Sequence, residues 1–339
     1  MFPIFATRIV KVTKLIDIAN ELNISPSTVS KGLNDKGRMS PELREKIKDT
    51  AEKMQYHPNE FARSLKTNST TMIGVILPDI SNIFYGKMLK GINYTARQHG
   101  YSVIFCDSGE NLDHEKSYYE FLNEKNVCGK IIATAGINRI YDNSPVGENI
   151  VFVDGMPSKD IRHSFISIDN YEAARELTEY VLSKGYREIN MICGPSVDTI
   201  TKDRVRGFID VMKSHGLTDS YKVFECEHSY DGGKKTVQEI LNGYKPEAII
   251  TENNFLAYGA LSAIRANGLS VPDDIAVACF DGLDDFDTMF IDLTAVNQPI
   301  EQIGRKAAEI VIARNEDPVS CADHTRVLLD YTLYKGNSI

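Results

Sequence analysis

A chain of 339 residues, 42% hydrophobic and 25% charged, has room for two or three globular domains and a sizeable core. No apolar run approaches the roughly 20 residues of a membrane span, which argues against channels and bilayer anchors. The net charge of −9 is unevenly spread: residues 1–66 carry +4 and the remainder −13, so a basic head precedes an acidic body. A basic head suits a polyanion, although a solvated charged face would look the same.

The first eleven residues lack the charged start and full apolar stretch of a secretory signal. Cys106, Cys128, Cys193, Cys226, Cys279 and Cys321 form no CxxC pair, and most lie in apolar runs. Reduced thiols in a cytoplasmic protein fit this pattern. Leu15, Ile18, Ala19 and Leu22 make one apolar helix face, and Asn23 ends it. Ser25-Pro26 and Ser40-Pro41 each pair an N-cap with a proline at the first helical position. The second helix turns Val29 and Leu33 inward, and the third turns Leu43, Ile47, Ala51 and Met54. His57-Pro58 breaks the pattern, and a polar link over 67–71 marks the domain boundary.

From Met72 onward strand-like runs at 73–77, 103–106, 130–133, 150–153, 189–193, 248–251 and 275–280 alternate with helical stretches. Examples at 84–99, 171–184 and 255–267 are each closed by a glycine at the C-terminal cap. This alternation predicts mostly parallel sheets with helices on both faces. More than 260 residues is long for one such sheet, so two lobes with a cleft between them are expected. No repeat is visible in the primary sequence.

Two short helices, a tight turn and a second helix rich in small polar residues make a helix-turn-helix unit. Ser27, Ser30, Lys31 and Asn34 lie on its outward face, where they can meet phosphates or base edges. An ordinary helical hairpin would show the same pattern. Nothing suggests catalysis: GxxxxGK[ST], GxSxG and HExxH are absent, and the seven histidines have no ligand spacing. Glu225-Cys-Glu-His228 looks metal-like, but strand alternation would put neighbours on opposite faces, so no metal or cofactor is expected.

The segments SPSTVSKGLN, YHPNEFARSLKT and IGVILPDISNIFYGKMLKGI, in this order and at this spacing, resemble the lactose-repressor (LacI/GalR) family from Val12 to the C-terminus. The resemblance implies a small all-α helix-turn-helix head and an α/β body of two lobes built like a periplasmic binding protein. It implies an N-terminal extension at 1–11, a DNA-binding domain at 12–58 and a hinge helix and linker at 59–71. The body follows at 72–339, with lobe 1 at 72–168 and 298–322, and lobe 2 at 169–297 and 323–335. The DNA-facing set then comprises Ser25, Pro26, Ser27, Thr28, Ser30, Lys31 and Asn34, with Asn59, Ala62, Arg63 and Leu65 in the hinge. Leu65 would wedge into a minor-groove base step. The effector pocket would take Asp79, Asn82, Phe84 and Tyr85 after the first strand, with Asp154, Arg204, Tyr230, Asn253 and Asp281 from later segments. Such groups suit a sugar: carboxylate, amide and guanidinium share hydroxyls while an aromatic ring covers the apolar face.

The resemblance implies a homodimer that binds double-stranded operator DNA, is released or tightened by a small sugar, and touches no membrane. A phosphorylated carrier protein, the corepressor of some relatives, is the alternative control. Three departures stand out. Lys31 replaces the usual Arg with a point donor, Pro26 offers no side-chain donor, and Asn253-Asn254 replaces the usual Asn-Asp. A sugar-binding transport component would fit the body but not the basic head. A sugar-modifying enzyme would need a nucleophile and base that the sequence does not offer.

Overall fold

The computed structural model describes residues 13–35, 37–56, 70–136, 141, 148–157, 163–195, 199–282, 291–318 and 324–339. The expected hinge residues Asn59, Ala62, Arg63 and Leu65, and the 1–11 extension, lie outside this set. The chain divides into two compact units, Met1–Thr70 and Thr71–Ile339.

In the first unit α1 (Leu15–Leu22), α2 (Pro26–Leu33) and α3 (Pro41–Lys53) close around Ile18, Val29 and Ile47, none of which is exposed. Asn23 ends α1 in the left-handed region at φ 53°, where its N–H reaches the Ala19 and Asn20 carbonyls. The Ser25 hydroxyl accepts from the Thr28 N–H at 3.2 Å and starts α2. Ser40 does the same for α3 through Leu43 at 3.3 Å. A Cβ at Gly32 would lie 2.6 Å from Ile47 Cδ1, so glycine is what lets α2 sit down on α3. Leu33, expected to face inward, packs against this core and is half-buried.

The second unit begins with β1 (Met72–Leu77), α4 (Ile83–Gln98), β2 (Ser102–Asp107), α5 (Leu112–Glu124), β3 (Gly129–Ile132), β4 (Ile150–Val153) and β5 (Ser164–Ser167). It continues with α6 (Asn170–Ser183), β6 (Ile189–Cys193), α7 (Thr199–Ser214), β7 (Tyr221–Glu225), α8 (Tyr230–Gly243), β8 (Ala248–Thr251), α9 (Asn254–Ala266) and β9 (Ala276–Phe280). It ends with β10 (Thr294–Asn297), α10 (Ile300–Glu316), β11 (Arg326–Leu328) and β12 (Thr332–Tyr334). Two six-stranded sheets result, in the orders β11-β5-β4-β3-β1-β2 and β12-β10-β9-β8-β6-β7. Every pairing is parallel except β10 with β12. Apart from the direction of the last strand, parallel for β11 and antiparallel for β12, the two lobes repeat one topology, although the primary sequence shows no repeat.

Strands with helices on both faces read as apolar runs, and β3, β4, β6, β8 and β9 are buried throughout. The boundary expected at residue 323 moves: Arg326–Leu328 pairs with β5 in the first sheet, and only after it does the chain return to the second. The last crossing thus falls between β11 and β12. Across the first lobe, a Cβ on Gly91 would overlap the Glu301 carbonyl of α10, and one on Gly304 would overlap the Met88 carbonyl of α4. The two helices pack backbone to backbone, which fixes where each N-terminus ends up.

His163, just before β5, sits between the rings of Phe152 and His324, at 5.8 Å from each centroid. Its Nδ1 has no hydrogen-bond partner among the described residues. Burial, with His324 beside it, pushes its pKa down to about 4. A base whose folded pKa lies below its unfolded value of about 6.5 leaves stability whole above that pH and erodes it as pH falls toward 4. Urea denaturation should show the parent losing about 2 kcal/mol more than His163→Phe between pH 7 and pH 4.5. Equal losses would mean that the ring charges freely in the fold.

Candidate functional site

In both sheets the strands of the second unit deliver polar residues at their carboxyl ends, the edge where α/β folds bind ligands. From the first sheet β1 runs into Pro78-Asp79 and Asn82, and β4 into Asp154. From the second, β6 runs into Gly194, β8 into Glu252-Asn253-Asn254, β9 into Asp281 and β10 into Gln298. These edges face each other. The Asn82 and Asn254 amides exchange hydrogen bonds across the lobes at 3.4 and 3.2 Å, and the Met156 N–H donates to Thr199 Oγ1 at 3.2 Å. Asp154 and Asp281 occupy matching places in the repeated topology. Both are left-handed, at φ 65° and 60°, and both donate their N–H to the next strand, at Ile166 and Val296.

Arg204, on α7, is 3% exposed. Its Nε donates to Asn170 Oδ1 at 2.8 Å and its Nη1 to the Glu252 carbonyl at 2.6 Å. The guanidinium lies on the face of Phe280, 4.0 Å from the ring centre. Asp281 Oδ2 stands 3.9 Å from Nη1, an ion pair in charge but too long for a good hydrogen bond. The other oxygen of Asp281 accepts from Gln298 Nε2 at 2.7 Å. Burial pushes the Asp281 carboxyl above its usual range, while Arg204 and the Gln298 amide pull it partly back. The loosely bridged pair is a place where a ligand hydroxyl can accept from one partner and donate to the other.

Below this pair Glu252 is 2% exposed. It accepts from the Gly194 N–H at 2.6 Å and the Thr201 hydroxyl at 2.5 Å, and meets His228 Nε2 at 3.4 Å. Burial opposes its ionisation. The His228 hydrogen bond and charge, then Arg204 and Thr201, outweigh burial and hold the carboxyl below its usual value. Any Cβ on Gly194 would overlap the His228 ring, so glycine there is what admits the imidazole.

One opening of the cleft, a cavity of 370 Å³, is walled by Asp79, Ser81, Gly109 and Glu110 from the first lobe and by His228, Ser229, Tyr230 and Phe255 from the second. A groove of 640 Å³ between the first turns of α4 and α10 is lined by Ile83, Lys87, Lys90, Gln298, Pro299 and Glu301, among others.

The structure brings Asp79, Asn82, Asp154, Arg204, Asn253 and Asp281 to the facing edges. Asn82 also caps α4 through the Phe84 N–H at 3.0 Å, and Asn253 caps α9 through Leu256 at 2.9 Å. Phe84, expected in the pocket, turns into the first-lobe core, edge-on to Tyr85 at 5.1 Å, and leaves Tyr85 half-buried. Tyr230 stands at the mouth, 41% exposed, with its hydroxyl on Ser262. The motif reading missed Glu252, His228, Asn170 and Gln298, and gave Asn254 only as a departure from the family pattern. The strand argument against Glu225-Cys-Glu-His228 does not reach His228, because β7 ends at Glu225 and the imidazole turns to Glu252. A polar Glu closing the apolar run 248–251 was the available signal.

On the head, Val29 and Gly32 fix the inner side of α2. Ser25, Pro26, Ser27, Lys31 and Asn34 are exposed, and Thr28 and Ser30 are half-buried. The Ser25 hydroxyl also meets those of Ser27 and Thr28 at 2.7 and 2.8 Å, and the Asn34 amide donates to the Ser30 carbonyl at 2.7 Å.

Two family models match these units. "Bacterial regulatory proteins, lacI family" covers residues 14–59, and "Periplasmic binding proteins and sugar binding domain of LacI family" covers residues 70–329. The chain belongs to the LacI family: it is a DNA-binding transcription regulator with a sugar-binding type of body, and not an enzyme. Among its relatives, the HTH-type transcriptional regulator DegA of Bacillus subtilis (strain 168) is 32% identical over 299 residues, 86% of this chain and 88% of that one. Catabolite control protein A of Staphylococcus xylosus is 29% identical over 328 residues, 96% and 98% of the two chains. The lac repressor dimer bound to operator and the anti-inducer ONPF shares the fold with a TM-score of 0.84 at 23% identity, over 97% of this chain and 99% of that one. Among the described residues no helix is long and apolar enough to cross a membrane.

Glu252→Gln should cost about 3 kcal/mol in urea denaturation at pH 7, because it leaves His228 and Arg204 beside an uncompensated gap. The folded pKa of Glu252 is depressed, so its contribution is present above the usual glutamate value and is lost as pH falls through the folded one. The gap between parent and variant should therefore narrow below pH 4. A gap independent of pH would show that the carboxylate charge is not what holds this network.

Proposed function

We infer that this chain is a homodimeric repressor of carbohydrate-utilisation genes, controlled by a small sugar held between the two lobes of its body. The observation that carries the reading is the buried Arg204–Asp281 pair, set 3.9 Å apart at the strand ends with Gln298 and Asn170 bracing it. A sugar hydroxyl would bridge the pair, while Asn82, Asp79 and Asp154 approach from the first lobe and Tyr85 or Tyr230 offers a ring face. A ligand that fits better at one separation of the lobes shifts the protein toward that state, and so changes operator affinity.

At the DNA, α2 would enter the major groove with Ser25, Pro26, Ser27, Thr28, Ser30, Lys31 and Asn34 against phosphates and base edges. From the family resemblance Asn59, Ala62 and Arg63 would line the minor groove, and Leu65 would wedge into a base step there. The dimer should bind a pseudo-palindrome whose half-sites lie about one helical turn apart, with an affinity that falls steeply with salt. In fluorescence anisotropy on a site selected from random DNA, Lys31→Ala should cost about 1–3 kcal/mol and relax preference at one base pair. A uniform loss on all sequences would make Lys31 a phosphate contact.

Arg204→Ala and Asp281→Ala should abolish the response to effector and leave operator binding intact, because removing either partner strands the other in a buried site at about 1–3 kcal/mol or more. Titration calorimetry against mono- and disaccharides, followed by operator binding of each variant, checks this. If no carbohydrate binds the parent and a phosphorylated carrier protein alters its operator affinity, the partner-protein reading replaces this one.

A further inference from the structure

We propose that the Asn82–Asn254 amide pair is a latch that holds the two lobes at the separation seen here, and that Asn254 is thereby a positioning residue for whatever the cleft binds. The inference rests on the interlobe reading above and adds the contact that tunes it.

The pair follows from how two helices begin. Asn82 is the N-cap of α4 and Asn254 is the first residue of α9, so two helix N-termini meet across the cleft. Each end carries about half a positive charge, and bare they would repel. Each amide oxygen answers its own helix. Asn82 Oδ1 accepts from the Phe84 N–H at 3.0 Å, and Asn254 Oδ1 accepts from the Phe255 N–H at 2.9 Å. These backbone donors decide which end of each amide is oxygen. The amide nitrogens are left to reach the other lobe. Asn254 Nδ2 donates to Asn82 Oδ1 at 3.2 Å, and Asn82 Nδ2 donates to Asn254 Oδ1 at 3.4 Å. Both residues are buried, at 9% and 2% exposure. An aspartate at 254, usual in the family, could accept from Asn82 but not donate to it, so the two-way exchange belongs to this chain.

A second contact between the lobes lies on other segments. The Met156 N–H donates to Thr199 Oγ1 at 3.2 Å, and the same hydroxyl donates back to the Met156 carbonyl at 3.5 Å. The Met156 N–H cannot keep this partner if the lobes part, so it reports on their separation. The two bonds of the amide pair, both neutral, are worth a factor of about five to thirty in the ratio of closed to parted lobes. Contacts this weak leave the two forms close in free energy. Removing the pair then lowers the fraction closed, and with it the apparent affinity of any ligand gripped by both lobes.

Hydrogen exchange on the full-length protein, with neither DNA nor sugar present, reads the latch directly. On short peptides spanning 154–157, the Met156 N–H should exchange about five- to thirtyfold faster in Asn254→Ala than in the parent. Met156 lies on neither α4 nor α9, so a merely local loss at the start of α9 would not reach it. Asn82→Ser keeps an N-cap on α4 but is too short to span the cleft, and should have the same effect. The double variant should add little to either single change, because both break one contact. Titration calorimetry with hexoses and pentoses follows. Each sugar that binds the parent should bind Asn254→Ala about fivefold or more weakly.

Unchanged exchange at Met156 in both single variants overturns the latch. Faster exchange with unchanged or tighter sugar binding overturns the positioning role of Asn254. If no sugar binds the parent, the interlobe sugar reading fails, while the exchange result still decides whether the amide pair holds the lobes.

Discussion

A guanidinium buried to 3% exposure cannot stand without partners, and the second lobe is organised around supplying them to Arg204. One partner opens α6, one is the backbone at the end of β8, one is the carboxylate at the end of β9, and the supporting ring is the last residue of β9. These four contacts coincide only if β8 and β9 keep their register, Ile249 against Val277 and Ile250 against Ala278. Buried branched and small side chains on those strands set that register, because a one-residue slip would exchange the two packed faces. The polar site is thus a by-product of an apolar core, and its precision is inherited from it.

Glu252 joins the same network through two groups. Its carbonyl holds Arg204, while its carboxylate holds the Gly194 N–H, Thr201 and His228. The end of β8 therefore ties the ends of β6 and β9 and the start of α7 into one charged cluster. Interior charges in low dielectric interact strongly, so the cluster is stiff, and the mouth formed by Tyr230 and Ser81 is left to adapt. The first lobe meets this rigid face through neutral groups, the paired amides of Asn82 and Asn254 and the contact of Met156 with Thr199. Neutral amide bonds are each worth only about 1 kcal/mol, which is the scale at which a bound ligand can shift the separation of two lobes.

The path of the chain bears on how such a shift would spread. It crosses between the lobes after β5, after β10 and after β11, so three strands carry any change in the angle between the two sheets. The crossing after β10 leads through Gln298 and Pro299 into α10, which is locked against α4 by the mutual close approach at Gly91 and Gly304. The residue that braces Asp281 therefore sits one step from the most tightly packed helix pair of the first lobe.

Much of this was legible in the primary sequence. The caps at Ser25 and Ser40, the apolar stripes of the head and the alternation of apolar runs with glycine-closed helices are local signals, and local signals follow from backbone sterics and periodicity. Asp154 and Asp281 were placed through the family resemblance, and each stands directly after an apolar strand. Other features only the tertiary structure decided. The strands Ser164–Ser167, Thr294–Asn297, Arg326–Leu328 and Thr332–Tyr334 are short and carry polar residues, so pairing with neighbours, not pattern, makes them strands. Whether Phe84 or Tyr85 enters the core depends on the rotation of α4 about its axis, which its packing on α10 sets. Asn170, Glu252 and Gln298 meet Arg204 or Asp281 across separations of up to 48 residues, and His228 joins them through Glu252. Such charges find each other only because the folded sheet has already brought its strand ends together.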